Sequence, residues 1–234
     1  MNSSNLRSVN TLAFDIFGTV LDLSGSLITP IETFLESHRA VIKSDLFWDQ
    51  WRARQRIEQY QDNILMLGHS GYLETCRRAL IYCLDMNKIE YSSEGVEVLM
   101  EEYQKLQAFP DAIEGLNTLS EKFQLVALSN GGQGYLEHLA NNSINIHFSE
   151  IISVELVGMF KPHPAVYRAA AQKMKLEPGQ IMMVAAHSFD IIGARACGFR
   201  GAYVDRYDLP MGCTDYLPDI SVPDFHQLAR SLTG

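Results

Sequence analysis

Residues 11–19 read TLAFDIFGT. The first four are apolar enough to form a buried strand, yet the fifth, Asp15, sets a carboxylate at that strand's end. A buried carboxylate is costly unless a partner neutralises it. Gly18 permits a tight turn after the strand, and Thr19 can hydrogen-bond the carboxylate or nearby backbone. Helix cap, metal ligand and nucleophile are the roles open to Asp15, and the rest of the chain has to choose.

Working outward, residues 11–18 read as strand, and so do QLVALS (124–129), EIISVE (150–155), IMMVAA (181–186) and GAYVDR (201–206). Helical-period segments or turn residues follow each. Such strand–helix alternation predicts an α/β fold, a doubly wound parallel sheet with helices on both faces. Ligands bind such sheets outside the carboxyl ends of the strands, where Asp15, Ser129 and Ala185–His187 fall. Between the first two strands the texture changes. Phe47, Trp51 and Tyr60 share a helical spacing, as do Leu73, Cys76, Leu80 and Cys83, and then Val96, Leu99, Tyr103 and Leu106. Breaks are expected at Pro30, Gly68–Gly71 and Asp85–Asn87. The predicted organisation is a core domain from 1–22 and 107–234, with an all-helical insertion of about four helices over 23–106 acting as a lid.

The 234 residues are 47% hydrophobic and 20% charged, with a formal net charge of −9. That balance argues against a nucleic-acid or anionic-membrane surface. No apolar run approaches the roughly 18 residues of a membrane span. The start, MNSSNLRSVN, lacks the hydrophobic stretch of a signal peptide and reads as a short tail, so a cytoplasmic location is expected. Cys76, Cys83, Cys197 and Cys213 form no C-x-x-C pair and have no histidine at ligand spacing. Buried free thiols are the expected state, with no metal site.

Four short stretches carry chemistry. Besides D-I-F-G-T there is LSNGG (128–132), whose Ser129 and Asn130 precede two glycines and form an anion cradle. In FKPHPAVY (160–167), Lys161 precedes a proline-started helix carrying Tyr167. In VAAHSFDIIGARACGF (184–199), Asp190 opens a helix after a buried strand. Singly, these are a turn serine, a surface lysine and a helix-start carboxylate favoured by the dipole. Their order along the chain is more specific than any one of them.

With these motifs the chain resembles the haloacid dehalogenase superfamily, and within it the 2-haloacid dehalogenase branch, over essentially its whole length. The resemblance implies a Rossmann-like core with a helical cap. It also implies Asp15 as nucleophile, Lys161 as its electrostatic partner, and Thr19, Ser129, Asn130, Tyr167 and Asp190 in supporting positions. W-R-A-R-Q (51–55) matches the cap motif that supplies an arginine, giving Arg52 for the departing anion. Phe47, Trp48, Trp51 and Phe17 would wall the substrate off from water. A homodimer through the cap is implied as well.

Magnesium-dependent phosphatases of the superfamily carry a second aspartate where this chain has Phe17, and a further aspartate where it has Ala186. Phosphoryl transfer without them loses most of its apparatus. A carboxylate nucleophile at an sp³ carbon needs neither metal nor cofactor. The expected reaction is displacement of the C2 leaving group of a short 2-substituted carboxylic acid through an aspartyl ester, giving a 2-hydroxy acid. An (S)-2-haloacid is the first substrate class. Ala185–Ala186–His187 departs from the S-S-N of the dehalogenases. His187 adds a group able to transfer a proton, which an amine leaving group would need and a halide would not. Ring opening of L-azetidine-2-carboxylate is therefore the alternative. A phosphatase and a non-catalytic binding protein complete the set.

Overall fold

A computed structural model of the chain describes residues 6–66 and 68–234. Of the tail read at 1–10, residues 1–5 lie outside the described residues.

The chain opens with β1 (Thr11–Phe14) and the short β2 (Leu21–Asp22), then runs through α1 (Leu23–Ser37), α2 (Ser44–Leu65), α3 (Tyr72–Met86) and α4 (Ser93–Glu101). After β3 (Gln107–Ala108) come α5 (Pro110–Ser120), β4 (Gln124–Ser129), α6 (Gln133–Leu139), β5 (Glu150–Ser153) and α7 (Pro164–Met174). It ends with β6 (Ile181–Ala185), α8 (Ser188–Ala196), β7 (Arg200–Val204), β8 (Ile220–Val222) and α9 (Phe225–Thr233). Two compact units result: residues up to Leu21 with those from Ala108 onward, and Asp22–Gln107.

The first unit is built on a six-stranded parallel sheet of order β5-β4-β1-β6-β7-β8. Phe14 on β1 pairs with Ala127 on β4 and with Val184 on β6. Every residue of β1 and β6 is buried, as a parallel sheet covered on both faces requires. The chain winds from β1 outward to β4 and β5, then crosses to β6 on the other side of β1. This puts a switch point, the usual place for a ligand, at the carboxyl end of β1. Pro110 and Pro164 occupy first-turn positions of α5 and α7, where the missing N–H costs nothing. Asp224 caps α9, its Oδ1 accepting from the Gln227 N–H at 2.7 Å.

The second unit is helical, with α2 packed on α1 and α3. Its centre holds Phe47, Trp51, Cys76, Leu80 and Cys83, all fully buried. The Trp51 indole N–H donates to Cys76 O at 2.7 Å, so its one polar atom is satisfied inside the core. Arg78 bridges Glu58 and Asp62 at 3.2 and 3.0 Å.

The α/β class, with its parallel sheet and helical insert, is therefore the one the strand–helix alternation indicates. Several details differ. Pro30 does not break a helix but lies inside α1. An interior proline costs about 3 kcal/mol, which burial of Leu23, Leu27, Ile31, Phe34 and Leu35 along one face of α1 offsets. β1 stops at Phe14 rather than running to residue 18, because the chain turns through Gly18. The thiols of Cys76 and Cys83 are buried, but Cys197 is half-buried and Cys213 exposed on the irregular segment after β7. Among the described residues no helix is long and apolar enough to cross a membrane.

Candidate active site

Asp15 follows β1 directly, and its N–H still donates to Val184 O at 2.9 Å. The chain then loops back, with the N–H groups of Val20 and Leu21 donating to Ile16 O at 3.1 and 2.9 Å. Gly18, at φ +83°, makes that loop possible. The Asp15 side chain is thus held rigidly at the sheet's carboxyl end.

Its two oxygens meet different partners. Oδ1 accepts from Lys161 Nζ at 3.0 Å. Oδ2 accepts from the Thr19 hydroxyl at 2.8 Å and lies 3.1 Å from His187 Nδ1. An ionised carboxylate only accepts, so the Nδ1 hydrogen points at it. The Ala186 N–H donates to Thr19 Oγ1 at 2.9 Å, which leaves the threonine hydrogen for Asp15.

Lys161 is enclosed, and its ammonium also donates to Asp190 Oδ2 at 2.6 Å and Leu128 O at 2.7 Å. Its backbone N–H donates to Asn130 Oδ1 at 2.8 Å, so Asn130 fixes the segment that delivers the lysine. Asp190, fully buried near the start of α8, does not cap its helix. It accepts from Lys161 and, through Oδ1, from the Tyr167 hydroxyl at 2.6 Å.

Electrostatics follow from this geometry. Burial pushes the Asp15 carboxyl upward, but the Lys161 ammonium and the His187 contact outweigh it and hold the group well below the usual carboxylate range. Burial pulls Lys161 down, and the charges of Asp15 and Asp190 more than restore it. Asp190 is raised to about 6 by burial and by the nearby Asp15 charge, against the pull of Lys161. The arrangement keeps the Asp15 carboxylate anionic at neutral pH at the sheet's carboxyl end, which is what a carboxylate nucleophile requires.

Asp15, Thr19, Lys161, Tyr167, Asp190 and His187 thus form one connected network, with Asn130 attached through the Lys161 backbone. Ser129 ends β4, and its hydroxyl is enclosed with no hydrogen-bond partner among the described residues. Such an atom calls for a ligand. Phe17 packs against Tyr135, ring centroids 5.7 Å apart. Arg52 and Trp51 belong to the helical unit. Arg52 Nη1 donates to Gln55 Oε1 at 2.5 Å, and Gln55 Nε2 donates to Cys76 Sγ at 2.9 Å. Trp51 and Phe47 lie inside that unit's core. Phe17 and Ala186 bring no ligating side-chain atom to the loop. Among the described residues no three His, Cys, Asp or Glu side chains are grouped to hold a metal ion.

Sequence reasoning missed Arg206 and Tyr207, just after β7. Arg206 Nε donates to Thr19 O at 2.9 Å, and the Tyr207 hydroxyl donates to Gly18 O at 2.8 Å. No periodicity or spacing in the segment marks either residue.

A family model described as haloacid dehalogenase-like hydrolase matches residues 9–198. Haloacetate dehalogenase H-2 of Moraxella sp. (strain B) is 26% identical over 220 residues, covering 93% of this chain and 95% of that protein. The crystal structure of a defluorinating L-2-haloacid dehalogenase is similar at a TM-score of 0.84 and 28% identity, covering 97% of this chain and 96% of that one. Another L-2-haloacid dehalogenase crystal structure gives a TM-score of 0.88 at 24% identity, with 97% and 99% coverage, a likeness of fold.

Proposed function

The chain belongs to the haloacid dehalogenase-like hydrolases, in their L-2-haloacid dehalogenase branch, and from that premise we propose that it hydrolyses short (S)-2-haloacids without a metal ion. The observation that carries the reading is the Asp15 carboxylate, kept anionic by Lys161 with no second carboxylate or metal ligand at Phe17 or Ala186.

In the first step an Asp15 oxygen attacks C2 from behind. The carbon–halogen bond breaks with its electron pair, C2 inverts, and an ester forms. In the second step water attacks the Asp15 carbonyl carbon. The acyl–oxygen bond breaks, the 2-hydroxy acid leaves, and one proton is released overall. Ser129 and Asn130 bind the substrate carboxylate, a role supported by the partnerless Ser129 hydroxyl. Phe17 forms an apolar wall. Lys161 is held in place by Asp190 and, behind it, Tyr167. Arg52 receives the departing halide, and Trp51 supports the helix that carries it. His187 serves the second step, since its Nδ1 lies 3.1 Å from Asp15 Oδ2 and a histidine can carry a proton near neutral pH.

A second reading rests on that same contact. A histidine in the nucleophile's network can supply the proton that an amine leaving group needs, as in ring opening of L-azetidine-2-carboxylate. A catalytically silent protein would keep a buried charged triad at a cost with no return.

The test is a single turnover in H₂¹⁸O with (S)-2-chloropropionate, with L-azetidine-2-carboxylate and a phosphate ester in parallel. Chloride release with ¹⁸O entering the Asp15 carboxylate before product supports the dehalogenase reading. Label appearing first in product overturns the aspartyl ester. Turnover of the azetidine alone establishes the second reading.

A further inference from the structure

His187 is in contact with two aromatic rings from different elements. Its imidazole stacks on Phe189 at 5.4 Å between centroids and 26° between planes, and on Tyr207 at 6.0 Å and 29°. Phe189 lies two residues along the chain and is carried by α8. Tyr207 comes from a different element, the segment leaving β7, and is anchored by its hydroxyl on Gly18 O at 2.8 Å. The next residue back, Arg206, holds the adjacent carbonyl, Thr19 O, at 2.9 Å. Arg206 is itself fixed by a two-pronged pair with Asp111 at 3.1 Å on each prong and by the Phe109 ring 3.9 Å beneath it. Two consecutive side chains therefore grip two consecutive carbonyls of the loop behind the nucleophile.

From this arrangement we infer that Tyr207 is a positioning residue for hydrolysis of the aspartyl ester, acting by pinning the His187 ring against Asp15. The inference rests on the proposed two-step reaction. The physical reason is the softness of the histidine χ2 torsion, which is broad and not set by a sharp rotamer well. Phe189, carried by the helix that His187 itself leads into, restrains the ring from one element only. Tyr207 adds a restraint from a second element and helps cover the Nδ1 contact at 3.1 Å. His187 is only 6% exposed while Tyr207 is 38% exposed, so the tyrosine is the outer member of the stack. Gly18 marks the convergence point. A Cβ there would stand 2.9 Å from the Tyr207 hydroxyl and 3.0 Å from His187 Cε1. Ring, histidine and loop are thus in mutual contact.

Loss of the tyrosine ring should leave the first step intact and slow the second. The experiment uses the full chain with (S)-2-chloropropionate in quenched flow, following chloride and the mass of the intact protein. Tyr207→Leu should release one equivalent of chloride in a fast burst. A steady state at least tenfold slower than wild type should follow, with ester-modified enzyme accumulating. Tyr207→Phe keeps the ring and should restore turnover to within about threefold of wild type. His187→Asn should show the same burst as Tyr207→Leu. Equal slowing of burst and steady state in Tyr207→Leu, or a wild-type steady state, overturns the inference. Chloride release with no ester mass in any variant, His187→Asn included, instead overturns the two-step reaction and takes the inference with it.

Discussion

The Lys161 ammonium stands 2.6 Å from the Asp190 carboxylate, and both groups are buried. The pair is what makes the site's charge tolerable. Asp15 and Asp190 together would bring two negative charges into the interior, and Lys161 is the cation that contacts both. Removing it should hurt stability and chemistry alike.

Lys161→Met keeps the length of the side chain and deletes its charge. Breaking a buried pair from one side costs about 3–5 kcal/mol, so the urea midpoint at pH 7 should fall accordingly, with turnover abolished. The pH dependence carries the sharper sign. In the wild type, burial pushes Asp15 up but Lys161 and His187 hold it low, so its stabilising contribution is lost only as pH falls through that depressed value. Asp190, raised to about 6, favours the folded state below its unfolded value, and that contribution is gone once pH has passed about 6. Without the lysine both folded values rise, and their contribution should be lost as pH climbs further. Stability should therefore keep falling above about pH 6 in the variant while the wild type stays nearly flat. Parallel curves would show that Lys161 does not set these ionisations.

Metal independence is the expectation from Phe17 and Ala186, a ring and a methyl at the positions where the family resemblance puts the carboxylates of metal-dependent members. Dehalogenation should proceed unchanged in excess EDTA and should not respond to added Mg²⁺. A strict Mg²⁺ requirement would put the phosphatase reading first.

Part of the candidate site is legible in the sequence because Asp15, Ser129 and His187 each lie at or just past the end of a short apolar run. Asp15, Ser129 and His187 are marked by strands whose burial leaves no doubt about where the polar residue begins. Lys161 reads singly as a surface lysine and is singled out only by the family resemblance of FKPHPAVY. The limits are equally physical. β8 has three residues, too few to show a period, and Pro30 reads as a break only until the apolar stripe around it is counted. Arg206 and Tyr207 act on Thr19 and Gly18 from nearly the other end of the chain. Their contacts exist only after the sheet has formed, and an arginine and a tyrosine in a loop carry no local signal.

Gly18→Ala tests how tightly the nucleophile loop is built. At φ +83° a side chain is strained by about 1–2 kcal/mol, and the new methyl would press on Tyr207 and His187. Melting should show a modest loss of stability, and turnover a much larger one, because the displaced ring is His187. Equal, small changes in both would show that the loop yields without moving the histidine.

Arg52 is expected to stabilise the leaving group only as its charge develops. Arg52→Ala should then lower kcat by roughly 10²–10³-fold, as loss of a charge-stabilising donor does, with much less effect on KM. Arg52→Lys should be a poor substitute because an ammonium lacks the planar fork of donors. Arg54 is already committed to Glu58 and to the Tyr82 ring. Near-normal kinetics in Arg52→Ala would pass the role to a different cation.

The acid limb of the pH–rate profile separates the two steps. Displacement of halide is effectively irreversible, so kcat/KM reports groups needed up to ester formation, while kcat also reports ester hydrolysis when that step is slow. Asp190 belongs to the first set, since it holds the lysine that keeps Asp15 poised. Burial first, and the Asp15 charge second, raise it to about 6. The profile of kcat/KM should accordingly fall below about pH 6, as protonated Asp190 loosens its hold on Lys161. Asp190→Asn should lower kcat/KM at every pH and erase that limb. His187 belongs to the second set, so His187→Asn should leave the kcat/KM limb where it is. The same variant should cut kcat by roughly 10²-fold, the usual scale for a lost general acid or base. A kcat/KM limb that survives in Asp190→Asn and vanishes in His187→Asn would move the histidine into the displacement step. That outcome would favour a leaving group that departs with a proton.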